Sequence, residues 1–120
     1  MFGSEPGVAT LTAVELKTRL DGGESITVLD VREDDERAFS AVPLPATARD
    51  LHIPMNLVPS RLDELRASAG QDPLVVYCHH GVRSMNVARW LVRQGLARVH
   101  NLTGGIDAWS QSVDPSVPRY

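Results

Sequence analysis

Two kinds of apolar run alternate along the chain. The first kind is short and nearly unbroken. Ile26-Thr27-Val28-Leu29-Asp30-Val31 stops at charge, as a strand buried on both faces does. Leu74-Val75-Val76-Tyr77-Cys78 is a second such strand, and Arg98 to Leu102 a third. The second kind spreads its apolar residues at helical spacing among charged ones. In Thr12-Ala13-Val14-Glu15, Thr12 and Glu15 have the spacing of a capping box, and Leu11 and Leu16 are placed as a hydrophobic staple. Gly22-Gly23 ends that helix. Ser84 to Gln94, closed by Gly95, is another helix. Val87, Ala88, Leu91 and Val92 give it one wide apolar face.

Shorter pieces fill the gaps. Glu33 to Phe39 reads as a short charged helix. Ser40 to Asp50, with Pro43 and Pro45, reads as an irregular loop. His52-Ile53-Pro54 is a short extended piece, because Pro54 biases Ile53 away from helix. Ser60-Arg61-Leu62-Asp63 opens a helix that runs to about Ser68 before Gly70. Gly104-Gly105 is a turn, Ile106 to Ser110 a short helix, and Val113 to Tyr120 an irregular tail. Strands that alternate with helices predict an α/β protein, its parallel sheet covered by helices on both faces. Ligands in such sheets bind beyond the carboxyl ends of the strands.

Composition narrows the class. A chain of 120 residues suits one domain, 1–120, with one core. Its 42% hydrophobic and 22% charged residues exclude a disordered chain. No apolar run approaches the roughly 18 residues of a membrane span, so no membrane partner is expected. The start, MFGSEPGVAT, lacks the basic and apolar regions of a signal peptide, and the cytoplasm is the expected location. With a net charge of −3 there is no basic footprint for nucleic acid, so an anionic ligand needs a local attraction. The single cysteine excludes an intrachain disulfide and a four-cysteine zinc site.

That cysteine carries the candidate chemistry. Cys78 ends a strand, and a helix is expected to begin about five residues later, at Arg83 and Ser84. Gly81 permits unusual backbone angles between them. Backbone N–H groups of such a loop point inward at the positive end of a helix dipole. The dipole, the amides and the Arg83 guanidinium all favour thiolate over thiol. The thiolate is the nucleophile that sulfur, arsenate or phosphate chemistry uses. Arg83 is placed to hold an oxyanion by two parallel bonds, and Ser84 to cap the helix and donate to the sulfur. The competing reading makes Cys78 an inert core residue.

Other residues have blander readings beside their functional ones. Cys78-His79-His80 suits a metal poorly, because adjacent side chains diverge and no further ligand cluster is visible, so no metal is expected. The histidines are expected to line the pocket, or one of them to fix the loop backbone by a hydrogen bond. Asp30 and Arg32 end a strand near the site. They are candidates for a supporting role, although a structural ion pair is the stronger expectation. His52 is expected to be structural, and Trp90 and Trp109 to pack in or beside the core. Arg89 and Arg93 are read as solvated, with docking of an acidic partner as the alternative.

The loop Cys78-His79-His80-Gly81-Val82-Arg83-Ser84, after Val75-Val76-Tyr77, resembles the active-site loop of rhodanese-family sulfurtransferases. Three further blocks resemble that family in order: Leu29-Asp30-Val31-Arg32-Glu33, His52-Ile53-Pro54-Met55-Asn56, and Asn101-Leu102-Thr103-Gly104-Gly105-Ile106-Asp107-Ala108-Trp109. Together they span about residues 8–112. Leu51 and Met55 depart from the pattern, which often has glycine at both places. The resemblance implies a five-stranded parallel sheet between helices and a persulfide formed on Cys78. The donor would be a small sulfur anion such as thiosulfate or a persulfide, the acceptor cyanide in an assay or a thiol or protein in the cell. Backbone amides of residues 79–83 would cradle the persulfide, with no organic cofactor. A protein-fed sulfur carrier for cofactor or RNA thiolation is the nearest alternative. Phosphatases and arsenate reductases of related fold resemble a Cys-five residues-Arg pattern, whereas four residues separate Cys78 from Arg83 here. A non-catalytic binding module would typically lack the cysteine.

Overall fold

The computed structural model describes residues 7–120; residues 1–6, where the reading of the chain start begins, lie outside them. Five parallel strands form one sheet in the order β1-β5-β4-β2-β3. They are β1 (Ala9–Leu11), β2 (Thr27–Asp30), β3 (Arg49–His52), β4 (Leu74–Tyr77) and β5 (Val99–Leu102). Strands β2 and β4 are the buried runs read from the sequence, and every one of their residues is buried. They pair in the middle, Thr27 with Leu74 and Asp30 with Tyr77.

The sequence reading missed β1 and set Arg49 and Asp50 of β3 inside a loop, while reading His52 at its end as extended. Both strands lie at sheet edges. Only Leu11 of β1 is buried, and no residue of β3 is. An edge strand with charged residues such as Arg49 and Asp50 carries no apolar run, so its pattern resembles a loop.

Five helices cover the sheet: α1 (Ala13–Asp21), α2 (Asp34–Phe39), α3 (Leu62–Ala69), α4 (Val82–Arg93) and α5 (Gly105–Ser112). Two 3-10 turns, Met55–Leu57 and Pro59–Arg61, lead into α3. Thr12 and Glu15 form the expected capping box on α1. The period of two along the strands divides the interior. Val28, Val75 and Tyr77 point to one face, where they meet Leu16, Leu20, Ile106 and Trp109 of α1 and α5. Leu29, Val76 and Cys78 point to the other, among Leu65, Val87, Ala88 and Leu91 of α3 and α4. Among the described residues no helix is long and apolar enough to cross a membrane.

The segment 113–120 has no regular structure, but it is anchored to the fold. Val117 is buried in the α1/α5 core. The Arg119 guanidinium meets the Asp107 carboxylate of α5 at 2.8 Å.

Candidate active site

Cys78 follows the last residue of β4, at the carboxyl end of the sheet. The chain then reverses through His79, His80 and Gly81 into α4, which starts at Val82, one to two residues before the expected start at Arg83 and Ser84. Gly81 caps α4 with a left-handed backbone, φ 107°, where an L side chain is strained.

Three carbonyls of this loop are engaged. Cys78 O accepts from Ile106 N–H at 2.9 Å and His79 O from Asp107 N–H at 3.1 Å. Gly81 O accepts from Asn101 Nδ2 at 3.2 Å. The first turn of α5 thus fastens the start of the loop, and Asn101 of β5 its end. The fit depends on Gly105, where an added Cβ would lie 2.4 Å from the carbonyl oxygens of both Cys78 and His79.

Fixed in this way, the backbone aims donors at the sulfur. Cys78 Sγ accepts from the N–H of Gly81 at 3.1 Å and from the N–H of Ser84 at 3.4 Å. Both donors sit at the start of α4, where the helix dipole adds to the attraction for negative charge. The residue is 1% exposed.

Two roles expected of neighbouring side chains are corrected. Ser84 does not cap α4; that place belongs to Gly81. The Ser84 hydroxyl lies 3.3 Å from Sγ but donates to Asn101 Oδ1 at 2.6 Å. Arg83 does not present an open fork to an anion. Its two terminal nitrogens donate to the two carboxylate oxygens of Glu36, at 2.6 and 2.9 Å. That pairing holds Glu36 well below the usual carboxylate range, at about 2. The donors that already bond the sulfur are the Gly81 and Ser84 backbone amides.

The histidine rings do not diverge. They lie 3.9 Å apart, tilted by 31°. His80 is exposed and His79 half-buried. Burial, followed by the charge of His80, pulls His79 below its ordinary value. Val82 is the most exposed large apolar residue of the loop, at 72%.

Asp30 and Arg32 are fully buried and paired through two hydrogen bonds of 2.9 and 2.8 Å. Their hydrogen bonds run to each other and to the surrounding backbone and side chains. Arg32 also donates to Ser40 O at 2.6 Å and to the Tyr120 hydroxyl at 2.9 Å. His52 Nε2 lies 2.8 Å from Arg32 O and so fastens β3 to the same turn.

Three residues that the sequence reading left out of the site belong to its immediate surroundings: Glu36, Asn101 and Tyr120. Tyr120 stacks flat on His79, with centroids 3.8 Å apart and planes at 6°, and its hydroxyl donates to Glu36 at 2.8 Å. Burial pushes the phenol up to about 12, so it keeps its proton. No local pattern could have placed it there; the only signal was a single aromatic residue in an irregular tail.

A five-stranded parallel sheet that presents a cysteine at a strand end, with two backbone N–H groups on its sulfur at the mouth of a helix, is an arrangement of rhodanese-like α/β proteins. The chain belongs to this family: the rhodanese-like domain model matches residues 12–112. It is 34% identical over 110 residues to a sulfurtransferase of Allochromatium vinosum, with 92% of this chain and 95% of that protein covered. It is 35% identical over 97 residues to the thiosulfate sulfurtransferase GlpE of Actinobacillus pleuropneumoniae serotype 7, with 81% and 82% covered. The crystal structure of a rhodanese-like domain protein from Staphylococcus aureus superposes with a TM-score of 0.71 at 28% identity, covering 94% of this chain and 99% of that one.

Proposed function

We propose that this sulfurtransferase-family chain moves sulfane sulfur from a small anionic donor, thiosulfate or a persulfide, to a thiophilic acceptor through a Cys78 persulfide. The observation that carries the reading is the convergence of the Gly81 and Ser84 N–H groups on Sγ. Those donors stabilise negative charge on whichever sulfur occupies the loop.

The Cys78 thiolate attacks the outer sulfur of thiosulfate. A new S–S bond forms, the old one breaks, and sulfite leaves with the bonding pair. The outer sulfur of the persulfide is then attacked by cyanide or by a thiolate, and Cys78 returns as thiolate. No external oxidant or reductant is needed. Because Glu36 occupies the Arg83 fork, backbone amides rather than a guanidinium receive the sulfur anion.

The phosphatase reading is weakened by the loop. Four residues separate Cys78 from Arg83, one fewer than in the Cys-five residues-Arg pattern of phosphatases and arsenate reductases, and a shorter loop favours a single sulfur atom over a tetrahedral oxyanion. Parallel assays decide between them. Thiocyanate formed from thiosulfate and cyanide, with no hydrolysis of an aryl phosphate, supports sulfur transfer; the reverse pattern overturns it. A protein-fed carrier is the second reading, favoured by the exposed apolar side chain of Val82 in the loop that holds the sulfur. Loading by a protein persulfide but not by thiosulfate would establish it.

A further inference from the structure

We propose that Tyr120 is a positioning residue of the Cys78 site, which fixes both flanks of the loop 79–83: His79 by ring stacking, and Arg83 through Glu36. The consequence for turnover rests on the sulfur-transfer reading; the geometry does not.

The segment that carries Tyr120 is fastened before it reaches the site. Asp114 N–H bonds Trp109 O at 3.0 Å, Val117 is buried, and Arg119 grips Asp107. The backbone N–H of that same Asp107 holds His79 O. Tyr120 then arrives between two partners. Its ring lies on His79, with Phe39 edge-on at 5.6 Å. Its hydroxyl accepts from Arg32, which is immobilised against Asp30, and donates to Glu36.

Glu36 is therefore not an ordinary half-exposed carboxylate. A surface ion pair alone contributes little, because two long side chains must be ordered to form it. Here the phenol, itself held by the buried Arg32, fixes the Glu36 carboxylate, and Glu36 meets both Arg83 nitrogens. One end of the loop is set by the stack and the other by the fork. Between them lies the Gly81 amide, and next to Arg83 the Ser84 amide, the two donors on Sγ. Slack at either flank changes how those donors meet the sulfur.

The test compares the wild-type chain with Tyr120→Leu and Tyr120→Phe. Amide exchange is read at Gly81 and Ser84 and, as an internal reference, at Val75 and Val76 of β4. Turnover is read from thiosulfate to cyanide. In Tyr120→Leu, loss of the stack and of one hydrogen bond speeds exchange at Gly81 and Ser84 roughly tenfold, leaves β4 unchanged, and lowers kcat about tenfold with KM within about twofold. Tyr120→Phe keeps the stack and recovers part of both. Wild-type exchange at Gly81 and Ser84 in Tyr120→Leu overturns the proposal. So does equal acceleration in β4, which would make Tyr120 a general stabiliser. If the wild-type chain transfers no sulfur, the functional reading falls and exchange alone decides the role of Tyr120.

Discussion

The hydroxyl hydrogen of Ser84 points at Asn101 Oδ1, 2.6 Å away, while its oxygen faces the sulfur of Cys78 at 3.3 Å. A hydroxyl has one hydrogen to give. With that hydrogen on Asn101, a protonated Cys78 donates to Ser84 Oγ. We expect the hydroxyl to turn from Asn101 to Sγ when the sulfur becomes anionic, which adds a third donor to the two backbone amides.

Removing it has a defined cost. Ser84→Ala leaves the two backbone donors in place and deletes one hydrogen bond to a charged atom, worth about 1.5 kcal/mol or roughly tenfold in rate. Persulfide loading by thiosulfate at neutral pH slows by that factor, and stability falls by about 1–3 kcal/mol because the buried Asn101 Oδ1 loses its donor. An unchanged loading rate would mean that the hydroxyl stays on Asn101 throughout.

Gly105→Ala tests how tightly α5 holds the loop. The added Cβ meets two backbone carbonyls at 2.4 Å, at a residue with φ +60°. Overpacking and the left-handed backbone together cost about 2–4 kcal/mol. Gly95→Ala is the control: its φ is +92° and nothing lies within 4 Å, so only the backbone cost of about 1–2 kcal/mol applies. Urea midpoints that are equal for the two variants would contradict the close approach.

The Glu36–Arg83 pair makes stability depend on acid. The native pairing lowers Glu36 from 4.5 to about 2. A depressed carboxylate contributes stability that is fully present above its unfolded value and is lost as pH falls from about 4.5 towards 2. After allowance for solvent screening, that contribution is about 1–2 kcal/mol. Melting temperatures measured from pH 6 down to 2.5 therefore fall less steeply for Glu36→Gln than for wild type. Identical slopes would show that the pair does not persist in solution.

What could be read in advance followed from burial. Strands β2 and β4 are enclosed on both faces, so their apolar runs are unbroken, and Cys78 could be set at a strand end before a helix. The alternation of strand and helix gave the sheet its parallel sense. Edge strands β1 and β3 escaped because half-exposed residues carry no such run. The site was legible where chemistry is local: the sulfur, Gly81 and the start of α4. Long-range partners were not. Glu36 lies 47 positions from Arg83, and Tyr120 lies 84 from Glu36. Arg83 was offered to an anion because nothing near it in the chain competes for its fork. Ser84 was offered to the helix end because the left-handed Gly81 cap has no side-chain signature.

The most direct measurement is the intact mass of the chain after incubation with thiosulfate and removal of the excess. The account predicts the gain of one sulfur atom on the wild-type chain, absent in Cys78→Ser and reversed by cyanide with release of thiocyanate. A wild-type mass that does not change, with Cys78 still open to alkylation, would contradict thiosulfate as donor. No gain from thiosulfate or from any persulfide would contradict the sulfur-transfer account itself.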